Sequence, residues 1–206
     1  MVQLHAASAG LRLTRTTRDV DMILHIDSGA ATFAGVQQEL ERLGYLLREP
    51  VGDGPVHRFA RGSRGCRDDR CHGRRPPIAE TTSQGVTPDS VRSGGTSALR
   101  KTVNCEVTAG EVAVVFSIPD VLGALVLKSA AYVEDSRDRD RHLDDAAVLA
   151  CAVTDPIGDR ARMIGSDRRR IEALWKVLQD LDHKSWIATG TDASRGHAAL
   201  QVLMSD

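Results

Sequence analysis

With 206 residues, 41% of them hydrophobic, the chain has enough apolar material for one compact domain or two small domains sharing an interface. Its 27 basic and 28 acidic residues leave a formal charge of −1, which excludes nucleic-acid binding by bulk positive field alone and leaves only local patches. No apolar run approaches the ~18 residues of a membrane span, and the opening MVQLHAAS has neither the basic nor the apolar region of a secretory signal, so a cytoplasmic protein with no membrane partner is expected.

The first predicted element is a half-buried strand that opens at Asp19 and runs from Val20 to Ile26, alternating charged and apolar residues before turning apolar. Ser28, Gly29 and Thr32 end it. Phe33, Val36, Leu40 and Leu43 then recur at helical spacing, with Gln37, Gln38, Glu39 and Glu41 opposite them and Gly44 as the stop. Short strands are expected at Tyr45 to Arg48 and Val56 to Ala60, separated by Gly52, Gly54 and Pro55. Residues 62–95 cluster Arg, Gly, Pro, Ser and Thr without apolar periodicity and read as a long loop or disordered insertion, unusual for the inside of a compact domain.

Two longer strands are expected at Leu99 to Val107 and Glu111 to Ile118, turning at Ala109 and Gly110. Pro119 and Asp120 look like a helix start, and the chain from there on reads as helix, interrupted at Asp155 to Gly158. Leu122, Leu125, Val126, Ser129, Ala130 and Val133 form one buried face, continued by Leu143, Ala146, Ala147 and Ala150; further helices run near Arg168 to Leu181 and Asp192 to Met204. The division is therefore an α/β half, 1–118, followed by a helical half, 119–206.

Cys66, Cys71, Cys105 and Cys151 are scattered in a chain without an export signal, so reduced thiols are expected. Cys66, Cys71 and His72 superficially resemble zinc ligands, but no second pair at finger-like spacing completes a tetrahedral site. A small zinc or nucleic-acid module built on the Arg-rich segment 62–75 therefore ranks last among the functional readings.

Asp19 and Asp21 carry more chemistry. Residues i and i+2 of a strand share a face about 7 Å apart, so two carboxylates there can converge on metal ions. The spacing alone decides little, because 28 acidic residues in 206 produce roughly four such pairs by chance. Arg15, Thr16, Thr17 and Arg18 precede the pair and offer phosphate donors; a solvated strand end beside an exposed charge run is the bland alternative.

The segment RTTRDVDMILHI resembles the R-x-T-x-D-h-D-h strand of AbiEii-type nucleotidyltransferase toxins, a family that includes enzymes acting on tRNA. A second segment, ALVLKSAAYVEDSRDRDRHLDDAAVL, resembles the family's helical signature at Lys128, Arg141, His142 and Asp145. The resemblance implies an α+β fold, a nucleotidyltransferase-like mixed sheet with helices followed by a C-terminal helical bundle. It implies Mg²⁺ held by Asp19 and Asp21, and an NTP contacted by Ser8, Arg15, Thr17, Lys128 and Arg141, with Asp145 as base or supporting carboxylate. Lys128 and Asp145 are expected to face Asp19 and Asp21. NMP would pass to an RNA acceptor, tRNA being favoured, or to a protein, and an antitoxin would be the partner. For residues 137–145, a salt-bridged helix surface stays open as the structural alternative.

The chain departs from the family at two places. No Gly-Gly or Gly-Ser pair precedes the Asp-x-Asp strand: Ser8 has the right spacing, but Ala7 stands where the glycine belongs. MVQLHAAS also resembles the helix that follows Gly-Gly in relatives, and an N-terminal truncation is expected on that basis. The third carboxylate is expected on an apolar strand just after VHRFARGS, where the chain instead has Arg67, Asp68, Asp69 and Arg70. Reading the codons of Asp69 to Arg74 one base later permits an apolar strand containing Asp, so a disrupted frame from near Ser63 to before Gly94 is the expectation, with a divergent insertion as its rival. The alternative function is accordingly a catalytically inactive remnant that at most binds.

Overall fold

The structure is a computed structural model that describes residues 1–12, 32–48, 58–61, 100–109, 112–136 and 138–205. Among these residues it is a mixed α+β protein with seven α-helices and two small antiparallel sheets. The chain separates into two compact units, Asp19–Ser90 and a larger one made of Met1–Arg18 with Val91–Asp206. The strand expected from Asp19 to Ile26, the insertion at 62–95 and the residues Cys66, Cys71 and His72 lie outside the described residues.

In the smaller unit, Thr32 caps helix α2 (Phe33–Arg42) by accepting the Gly35 amide at 3.1 Å. The helix ends at Leu43, and Gly44 follows at φ +84°, the left-handed conformation that stops a helix at little cost to glycine. Strand β1 (Tyr45–Arg48) falls where its residues predict it and pairs antiparallel with β2 (Arg58–Arg61), Tyr45 opposite Arg61 and Arg48 opposite Arg58. Phe33 reaches Phe59 with ring centroids 6.2 Å apart. None of the residues of α2 is fully buried; Phe33, Val36 and Leu40 are half-buried, and Leu43 is exposed.

The larger unit begins with α1 (Val2–Ser8), which packs on the later helix Arg139–Cys151. Strands β3 (Thr102–Ala109) and β4 (Val112–Pro119) form a hairpin in which Ala109 faces Val112 and Thr102 faces Pro119. Its faces carry exposed Val103, Val114 and Val115, whereas Ile118 at the root is buried. The root is fastened at several points. The Asp120 amide donates to the Lys101 carbonyl at 2.7 Å, and the Asp120 carboxylate caps helix α3 (Val121–Glu134) by accepting the Gly123 amide at 2.8 Å. A Cβ on Gly123 would lie 2.8 Å from the Lys101 carbonyl oxygen, so only glycine allows the strand to enter this close to the helix. Lys101 Nζ meets Asp167 Oδ2 at 2.8 Å, with both side chains out of solvent, and His5 on α1 bonds the Pro119 carbonyl at 2.8 Å.

Helix α4 (Arg139–Cys151) lies at the centre of the bundle, in contact with α1, α3, α6 (Asp167–Leu178), a 3₁₀ segment (Lys184–Asp192) and α7 (Ala193–Met204). Its small residues Ala146, Ala147 and Ala150 are fully buried, which lets neighbouring helices approach. Leu122, Leu125, Ile171, Leu174, Leu178, Leu200 and Leu203 fill the space around it, against its own Leu149.

Two sequence expectations are corrected here. The interruption expected at Asp155 to Gly158 lies earlier, between Cys151 and Pro156, and Asp155-Pro156 opens helix α5 (Pro156–Ala161): proline needs no amide partner at the first helical position, and Asp155 accepts the Gly158 amide at 2.9 Å. Val133, expected on the buried face of α3, is 56% exposed. Among the described residues, no helix is long and apolar enough to cross a membrane.

Candidate functional site

Of the residues selected for chemistry, Asp19, Asp21, Arg15 and Thr17 lie outside the described residues. Ser8 is the last residue of α1 and is exposed, at the helix end where carbonyls rather than amides are left over. Arg141 is exposed on α4 and its guanidinium lies 3.9 Å from Asp138.

Lys128 and Asp145 meet. Lys128 stands in the middle of α3, whose other residues between Val121 and Val133 are apolar or small apart from Ser129 and Tyr132; Asp145 stands in the middle of α4. Lys128 Nζ is 2.7 Å from Asp145 Oδ2, with the Lys side chain 21% and the Asp side chain 6% exposed. An ammonium placed on an otherwise apolar helix must either reach water or find a counter-charge, and Asp145 supplies that counter-charge across the helix interface. The remaining exposure of Lys128 leaves it reachable by a second anion from solvent.

Two further contacts lie nearer the α3–α4 turn. Arg139 stacks over Tyr132, with its guanidinium carbon 5.8 Å from the ring centroid. His142 Nε2 is 3.6 Å from Asp135 Oδ2. Lys128 and Tyr132 stand one turn apart on α3, Asp135 follows as the residue that ends it, and Arg139, His142 and Asp145 recur at helical spacing on α4. Sequence reasoning named Lys128, Arg141, His142 and Asp145 but missed Asp135, Tyr132 and Arg139. For Tyr132 the signal was its spacing from Lys128 on a helix that is otherwise apolar; Asp135 and Arg139 stand in a charge run in which nothing marks them out.

The second polar pair missed from sequence is Lys101 with Asp167. Asp167 Oδ2 also accepts the Ile164 amide at 3.0 Å, so this carboxylate fixes the start of α6 while it neutralises Lys101. It has no exposed face through which a ligand could enter, and its role is architectural.

Cys105 and Cys151 are free thiols, and burial pushes the Cys151 thiol above its ordinary range, which keeps it protonated and unreactive. Among the described residues, no group of three His, Cys, Asp or Glu side chains is arranged to hold a metal ion. The assignment of metal to Asp19 and Asp21 therefore rests on their sequence alone. No protein-family model, curated protein or solved structure matches the chain.

Proposed function

We propose that the chain is a nucleotidyltransferase-like protein that binds an NTP with Mg²⁺ and passes NMP to an RNA, tRNA first among the candidates, or to a protein acceptor, as the toxin of a toxin–antitoxin pair. The observation that supports this reading most is the meeting of Lys128 and Asp145. The two residues are separated in sequence, were singled out by one helical signature, and stand together at a partly open helix interface.

In this reading Asp19 and Asp21 hold the Mg²⁺, which neutralises charge on the triphosphate as it reacts. Lys128 contributes a positive charge to the phosphates, held in place by Asp145 until the nucleotide arrives. Asp145 accepts a proton from the acceptor or fixes Lys128. Ser8, Arg15, Thr17 and Arg141 are the remaining proposed contacts to nucleotide.

A second reading, a remnant without catalysis, is favoured by a specific observation. The Lys128 ammonium is already neutralised by Asp145, and the sequence lacks the glycine pair that would cradle a triphosphate. Incubating the full chain with each radiolabelled NTP, Mg²⁺ and total tRNA separates the two. Transfer of label, abolished by Asp19→Asn and Asp21→Asn with folding retained, supports the enzyme. Saturable Mg-NTP binding without transfer supports the remnant, and absence of binding overturns both. Lys128→Ala is expected to weaken NTP binding on the order of ten-fold or more.

A further inference from the structure

A neutral imidazole carries one donor and one acceptor, whereas an imidazolium carries two donors and a charge, so burial without partners penalises the charged form far more. His142 is in that situation. Its side chain is 14% exposed, and both ring nitrogens are buried without a hydrogen-bond partner. Asp135 Oδ2, at 3.6 Å, is near enough to attract a charge but too far for a well-formed hydrogen bond.

We propose that His142 is an acid-operated latch on the α3–α4 hairpin: the neutral ring seals the hairpin beside its turn, and protonation puts a second cation next to Lys128 and loosens the Lys128–Asp145 pair. The charged groups facing the ring are Lys128 from α3, Asp135 from the residue that ends α3, and Asp145 from α4. Lys128 opposes the proton and the two carboxylates favour it. Burial is the largest influence and acts with Lys128, so the His142 pKa is lowered from its ordinary value. An imidazolium here would compete with Lys128 for Asp145 while repelling Lys128 itself, which is how a proton on His142 acts on the neighbouring pair. The latch needs only the helix hairpin and does not depend on the nucleotide reading.

The sign follows from linkage. A histidine whose folded pKa lies below its unfolded value binds fewer protons folded than unfolded, so the unfolded chain gains protons first as pH falls. Stability is fully present above the unfolded pKa and is lost as pH falls from there through the folded pKa. His5, lowered mainly by burial against the pull of the Pro119 carbonyl, contributes with the same sign. The informative comparison is therefore between the wild-type chain and His142→Gln.

Histidine side-chain NMR of the full chain from about pH 8 to pH 5, with His142 assigned by loss of its signal in His142→Gln, reads the ring directly. His142 is expected to titrate below the ordinary histidine value, and to titrate higher in Lys128→Met than in wild type. In urea, the wild-type midpoint is expected to fall further on acidification than that of His142→Gln. If Lys128→Met does not fold, Asp135→Asn replaces it and is expected to move the titration lower still. Titration of His142 at or above the ordinary value in the wild-type chain overturns the latch, as does an equal acid shift of the midpoint in wild type and His142→Gln.

Discussion

Helices α2 and α4 present the same kind of apolar spacing in sequence and end in different environments. α4 buries Leu143 and every residue from Asp145 to Cys151, whereas none of α2 is fully buried. The difference lies in what stands around each helix. α4 is enclosed by α1, α3, α6, α7 and the 3₁₀ segment, while among the described residues of its unit α2 is accompanied by the pair of four-residue strands β1 and β2. A stripe specifies which face will be covered if something covers it, and says nothing of how much covering material the fold supplies.

The comparison can be broken most severely at the buried polar pair of the larger unit. Asp167→Asn or Lys101→Met leaves one charge without its partner in a site closed to water, and either is expected to cost about 3–5 kcal/mol in urea denaturation. Removing both with a well-packed apolar pair is expected to recover much of that loss, because the desolvation of two ions disappears with them. A single substitution that leaves stability unchanged would show that water reaches the pair.

A smaller contrast comes from apolar truncation. Leu149→Ala, at a position with no exposure, is expected to cost about 2–5 kcal/mol through lost transfer energy and the cavity left behind. Leu40→Ala on α2 is expected to cost less than about 1 kcal/mol, since a half-buried side chain gives up less and its site can collapse or fill with water. Equal losses at the two positions would mean that the helices are equally covered.

The smallest contrast uses the caps. Asp120 and Thr32 perform the same local task, each accepting an amide three residues on. Asp120→Ala also removes one of the two carboxylates that Arg162 meets, so it is expected to exceed the typical cost of about 1 kcal/mol, with Thr32→Ala at or below that value. Matching thermal shifts for the two variants would reduce Asp120 to a plain cap.

What could be read from sequence follows the same division. Local chemistry identified β1, the Gly44 stop and the Asp120 cap, because turn and cap residues act within a few positions of themselves. The alanines of α4 were correctly placed inside. The interruption was placed as far as Gly158 rather than before Pro156 because the dipeptide that ends one helix is equally suited to begin the next. At the candidate site, Lys128 and Asp145 were named individually, but not as each other's partner. That pairing depends on how two helices align across their connection, which no single-helix pattern encodes. Lys101 and Asp167 escaped notice because one stands before a strand and the other begins a helix, with no periodicity linking them.

The fastening at Lys101 and Asp120 makes the β3–β4 hairpin a side branch: the chain leaves the bundle and returns through one gate closed by a backbone hydrogen bond. The register then carries the paired ends Ala109 and Val112 about 25 Å along the strands from that gate. The far end of the hairpin is thus a natural handle, where chemistry can be attached without asking the bundle to repack.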